Sequence, residues 1–188
     1  MKAIALSLAL AASFSGMVTA GDQGMFLKFG FGGAQINVKE EFSLIDQQED
    51  EENSAKLGFA IGYYPTENLD VSLGFNHYSD LHWLDFIDAF DDYDLDETVV
   101  TLAYNFEMGK FSIKPSVGYS FWKFQADEGI FANPGDEETF RSSGSDMFAG
   151  IALQFNFTHR LGLELAYSTG NYDFGKVEST DLSLIFSL

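Results

Sequence analysis

Apolar and polar residues alternate in eight segments, at 24–38, 55–64, 69–79, 96–107, 111–124, 145–157, 161–172 and 177–188. In the second, Leu57, Phe59, Ile61 and Tyr63 share one parity, and Lys56, Gly58, Ala60 and Gly62 the other. The third sets Leu69, Val71, Leu73 and Phe75 against Asp70, Ser72, Gly74 and Asn76. The sixth sets Met147, Ile151, Leu153 and Phe155 against Asp146, Gly150, Gln154 and Asn156, and the seventh sets Leu161, Leu163 and Leu165 against Gly162, Glu164 and Ala166. A period of two is that of a strand with one apolar face. Lipid-sized Phe, Leu and Ile recur on that face in strands all along the chain, which the core of a soluble sandwich would not explain. The pattern predicts an all-β fold, an eight-stranded antiparallel up-and-down transmembrane β-barrel. Such a barrel satisfies every backbone polar group within lipid.

The connections alternate in length. Those at 65–68, 108–110 and 158–160 are tight; 39–54, 80–95 and 125–144 are long, and 173–176 is a shorter fourth. Outer-membrane barrels place short turns on the periplasmic side and long loops outside, so both termini fall on the periplasmic side.

The first twenty residues read differently. Lys2 precedes an apolar stretch over 3–12, and Val18-Thr19-Ala20 carries the small residues of a cleavage site, so cleavage is expected before Gly21. This assigns 1–20 to a signal peptide and 21–188 to the barrel. No later stretch has the length and apolarity of a spanning helix. The chain has no Cys and hence no disulfide framework. Loss of Lys2 leaves 29 acidic against 9 basic residues, a net charge of −20.

Two places break the alternation. In the first segment the apolar parity runs Met25, Leu27, Phe29, Phe31 and then switches to Ala34, Ile36, Val38, with Gly32-Gly33 at the switch. A bulge that reverses the faces is expected there. Pro115 lacks a ladder donor, so a bulge or a lost hydrogen bond is expected beside it. Aromatic residues gather near segment ends. Tyr63, Tyr64, Phe106, Phe111 and Phe157 predict one girdle, and Tyr78, Trp83, Phe121, Trp122, Tyr167 and Tyr172 the other.

By strand number, loop asymmetry and girdles, the chain resembles the OmpA/OmpX-type eight-stranded outer-membrane β-barrels over 21–188. Its last segment, from Asp181 to Leu188, resembles the signal read by the barrel-assembly machinery, with Leu182, Leu184, Phe186 and Leu188 at alternate positions. It departs from the usual form in ending on Leu188 with Phe186 two residues earlier. No peptidoglycan-binding domain is expected after the barrel. The resemblance implies a monomer in the bacterial cell outer membrane, serving membrane integrity, surface interaction or adhesion, without enzymatic activity or cofactor. Outer-membrane lipids, lipopolysaccharide and the assembly machinery are the implied partners.

Eight strands leave an interior that side chains largely fill. Lys28, Asp70, Lys114 and Glu164 fall on the inward parity near the periplasmic third, with Asn105, Gln154 and Asn156 at similar depth. Buried charges must pair, so these residues predict an interior ion-pair and amide network. A selectivity ring in a narrow ion channel is the alternative use of the same residues.

Of the 29 acids, 21 lie in 39–54, 80–97 and 125–146. Such a surface repels nucleic acid. Divalent cations would bridge it to anionic lipopolysaccharide; the plainer reading is a solvated loop set. Asp92, Asp94 and Asp96 resemble the opening of a calcium loop but lack its Gly and distal Glu, so no metal site is assigned. Leu81, Leu84, Ile87 and Phe90 recur at helical spacing, as in a short surface helix over 81–90.

His77-Tyr78-Ser79 resembles the His-x-Ser stretch of the lipid A deacylase barrels. Carried over, His77 would be general base, Ser79 nucleophile and Asp91 the orienting acid. The family motif continues with Asn where Asp80 stands, uses Glu as third member, and lies later in the chain. A lipid A-modifying hydrolase is therefore the alternative to a non-enzymatic barrel.

Overall fold

A computed structural model describes residues 24–38, 52–80, 92–127 and 139–188. The proposed signal peptide, the helix expected over 81–90, Asp91 and most of the three long loops lie outside the described residues.

The strands are β1 (Met25–Val38), β2 (Glu52–Thr66), β3 (Leu69–Asp80), β4 (Asp92–Tyr104), β5 (Phe106–Met108), β6 (Phe111–Asp127), β7 (Thr139–Asn156), β8 (Leu161–Asn171) and β9 (Gly175–Ser187). Consecutive strands pair antiparallel except β4 and β5, β1 pairs with β9, and β4 pairs with β6. Since β4 and β5 are one stave interrupted at Asn105, the sheet is a closed eight-stave barrel with no free edge.

Register and tilt are linked. Cross-strand partners lead from Met25 through Tyr63, Val71, Leu102, Val117, Ala149, Thr169 and Glu178 back to β1 at Gln35, ten residues higher. A stagger of this size with eight staves tilts the strands by roughly 40° to the axis. Every residue on that path points outward.

The outward parity carries exposed Phe29, Phe31, Leu57, Phe75, Leu102, Phe106, Phe111, Val117, Ile151, Leu165 and Leu184, a band all round the wall. In a soluble protein this surface would have no cover; in lipid it is the solvated face. Tight connections occupy 67–68, 109–110 and 157–160. Gly109 adopts φ 70°, which only glycine takes without strain, and Thr158 Oγ1 accepts from the Arg160 and Leu161 amides at 3.1 and 3.0 Å.

The expected bulge at Gly32-Gly33 is absent. Both partners of β1 keep an unbroken register through it, and the faces do not reverse. Ala34 and Ile36 are buried in the lumen, while Gly33 and Gln35 are exposed outside. The apolar residues change side because the environment does: beyond Phe31 the outer wall leaves lipid, and the lumen at that height is apolar. Pro115 brings no bulge either. Its pairing with β7 continues through Ile151. On the other side the ladder lapses, between Ala103↔Ser116 and Phe106↔Ile113. The lapse divides β4 from β5, and the missing proline N–H accounts for it.

The girdle assignment holds for Tyr63, Phe106, Phe111, Phe157, Phe121 and Tyr167, which lie on the outer wall. It fails for Tyr78, Trp122 and Tyr172, which are buried inside. Tyr64 packs at a tilt against the buried Phe26, 4.8 Å between ring centroids, and Trp83 lies outside the described residues.

Candidate functional site

The lumen is built in three tiers. Nearest the short turns, Lys28 Nζ lies 2.5 Å from Glu164 Oε1, and Lys114 Nζ lies 2.5 Å from Asp70 Oδ2 and 3.3 Å from Glu164 Oε2. All four residues thus meet in one cluster. Lys114 also donates to Gln154 Oε1 (3.3 Å), whose amide donates to Asn156 (2.6 Å). Phe26 closes this tier, with Lys114 Nζ 5.8 Å from its ring centre. Gly62 makes room for that ring: a Cβ there would stand 2.1 Å from it. Asn105 Nδ2 reaches Glu107, and the Asn105 backbone is bonded in both directions to Asn68.

The middle tier was missed in the sequence. Lys56 donates to Asp181 (2.7 Å) and Ser179 (3.1 Å), and Ser183 donates to the other Asp181 oxygen (3.1 Å). Beside them Glu97, 4% exposed, accepts from four neutral donors. Asn76 (3.2 Å) and Tyr78 (2.8 Å) serve one oxygen, Ser120 (3.1 Å) and Tyr172 (2.7 Å) the other. Among the described residues no basic side chain pairs with Glu97. This placement takes Glu97 out of the acidic surface counted over 80–97, and β4 starts at Asp92, four residues before the expected strand at 96–107. Inward parity was the available signal: Lys56 alternates with Leu57, and Asp181 with Leu182.

The third tier is an aromatic cap. Ala34, Ile36, Tyr78, Leu95, Trp122, Phe124, Tyr172, Phe174 and Val177 form one buried cluster. Phe174 stacks on Phe124 (4.8 Å) and Tyr172 (5.5 Å), with Trp122 edge-on at 4.7 Å. The Trp122 indole donates to Asp146 at 2.8 Å. A Cβ at Gly144 would lie 2.5 Å from the indole, so a larger residue would displace it. Beneath the cap a cavity of about 120 Å3 is lined by Lys56, Glu97, Lys114, Glu164 and Asp181 among others. Such a polar space has room for several waters.

The residues of the hydrolase reading lie on the outer wall. His77 and Asp96 are exposed partners in register, Nδ1 to Oδ1 2.8 Å. Asp96 thus stands beside His77, where Asp91 had been expected; Asp91 lies outside the described residues. Ser79 is on the same face and makes no hydrogen bond to His77. Asp94 and Asp96 sit in the extended strand β4, as does Asp92. A straight strand cannot curl round a cation as a calcium loop does. The described residues contain no cluster of three or more metal-binding side chains.

The fold is shared with bacterial outer-membrane proteins. Neisserial surface protein A superposes with a TM-score of 0.66 at 10% identity, covering 88% of this chain and 97% of that one. Ail, the attachment invasion locus protein of Yersinia pestis, gives 0.58 at 19% identity, with 88% and 99% covered. The N-terminal β-barrel domain of Pseudomonas aeruginosa OprF gives 0.53 at 15%, with 88% and 98% covered. No curated protein sequence matches the chain. Residues 6–188 match the family model of the outer membrane protein beta-barrel domain. The chain is accordingly a member of that family, a small OmpA/OmpX-like barrel of the bacterial outer membrane.

Proposed function

We propose that the protein is a closed, non-conducting barrel whose work is done at the cell surface, where its acidic loops meet lipopolysaccharide through bridging divalent cations. The obstructed lumen carries this reading. Its lysines are held by carboxylates, and Phe124, Trp122, Tyr172 and Phe174 fill its outer end. A conducting path would have to displace both. With transport disfavoured, the loops are the part left to act, and 39–54 alone holds seven acids. The names of the similar structures, a surface protein and an attachment protein, agree with a surface role. Ail has been crystallised with a heparin analogue, sucrose octasulfate. The acidic loops here would repel such a polyanion, so a cationic or cation-bridged partner suits this chain better.

Recordings in planar bilayers test the closed lumen: a flat baseline is expected, and persistent ohmic conductance would overturn it. Binding of lipopolysaccharide to the purified barrel, with calcium and then with EDTA, tests the loops. Binding by the loops should fall when Glu49, Asp50, Glu51 and Glu52 are changed to Gln or Asn.

The His77–Asp96 pair favours one second reading, a lipid A-modifying hydrolase with Ser79 as nucleophile. Mass spectrometry of lipid A from cells with and without the protein decides it. Unchanged acylation removes this reading.

A further inference from the structure

We infer that Lys123 and Arg141, on the outer wall of β6 and β7, bind a phosphate of lipid A whose acyl chains lie on the aromatic wall beneath them. The inference deepens the lipopolysaccharide reading above and rests on it for the choice of lipid.

Eight Lys and Arg side chains lie among the described residues, and four of them are paired with carboxylates. Lys28, Lys56 and Lys114 are in the lumen, each against a carboxylate. Lys110 and Arg160 lie at the short turns, at the opposite end of the barrel. Lys176 is held by Glu178 at 2.7 Å. Lys123 and Arg141 are the exposed bases at the loop end without a carboxylate partner among the described residues. The carboxylate across from Lys123, Asp96, is engaged by His77.

The two bases are close. Lys123 pairs in register with Ser143, and Gln125 with Arg141, so Lys123 and Arg141 are diagonal neighbours. Diagonal positions stand about 7–8 Å apart, within reach of long side chains. Both can therefore grip one phosphate, with the exposed Ser143 beside Lys123 as a further donor.

The wall below is aromatic on β6, while on β7 Ser143 and Ser145 stand between Arg141 and Met147. Tyr119, Phe121 and Met147 face outward beneath the bases, the two rings 5.2 Å apart. A surface recess lined by Phe75, Thr98 and Phe121 rises to Lys123. Lys123 stands directly above Phe121, at the headgroup side of the apolar wall, and Arg141 reaches toward it from the next strand. The acidic surroundings disfavour a free anion arriving from solution. A lipid already in the outer leaflet arrives sideways, with its tails contributing.

Native mass spectrometry of the full chain in detergent tests this, with bisphosphoryl lipid A as probe and EDTA present throughout. EDTA abolishes cation-bridged contact with the loops, so loss of that contact and loss of this site are read separately. One retained lipid A is expected for the wild type, falling about tenfold in Lys123→Gln/Arg141→Gln. Lys110→Gln/Arg160→Gln should match the wild type, and heat-modified gel mobility confirms that both variants are folded. Dephosphorylated lipid A should bind as weakly as the first variant. Full retention by that variant, or equal binding of the dephosphorylated lipid, would overturn the site. Phosphatidylglycerol retained as well as lipid A would overturn the assignment to lipid A.

Discussion

Tyr172 donates to Glu97 at 2.7 Å, across 75 positions of sequence, and so ties the aromatic cap to the charged middle of the lumen. Tyr78 does the same from the facing wall. A carboxylate buried without a base depends on such donors. Tyr172→Phe should destabilise the barrel by about 1.5–3 kcal/mol, the range for a hydrogen bond to a charged group. Urea unfolding in lipid vesicles measures it; a change within error would mean that water replaces the phenol.

Lys114→Met should cost more. It leaves Asp70, 2.5 Å away, without its cation and Glu164 with Lys28 alone. Breaking a buried pair costs roughly 3–5 kcal/mol, less where cavity water reaches the site. Lys110→Met, in an exposed turn, should have little effect. Equal, small effects for both in the same assay would show a solvated lumen.

Gly144→Leu should push Trp122 from its seat, since even a Cβ would come within 2.5 Å of the indole. Overpacking of this kind costs about 1–3 kcal/mol. A red shift of tryptophan emission and a lower unfolding midpoint are expected. Unchanged emission would place the indole elsewhere.

Protease added to intact cells should cut within 39–54, 80–95 or 125–144 and spare 65–68, 108–110 and 158–160. Cleavage at the short turns from outside would invert the barrel.

Much of the wall was legible because lipid enforces a period of two. Once parity was known, Lys28, Asp70, Lys114 and Glu164 could be placed inside without coordinates. The upper lumen was not legible, for a related reason. Above the lipid band the code inverts: Asp94 and Asp96 face outward while Leu95 is buried. A rule that reads apolar as outward turns Ile36 into evidence for a bulge, Trp122 into a girdle residue and Glu97 into a surface acid. Parity alone, carried past Phe31 and Thr98, would have put all three in the lumen.

The lapse beside Pro115 bears on how the barrel is breached. A closed sheet ordinarily offers no place to begin unzipping. Here β4 and β5 part at Asn105, between their rungs to β6. Deuterium should therefore enter the backbone first at Tyr104 and Phe106, which flank the lapse, ahead of positions at equal depth on the β6–β7 seam, which is continuous over seventeen rungs; the Asn105 amide, held by Asn68 at 2.7 Å, should exchange later. The proline gives an edgeless wall a preferred line of tearing.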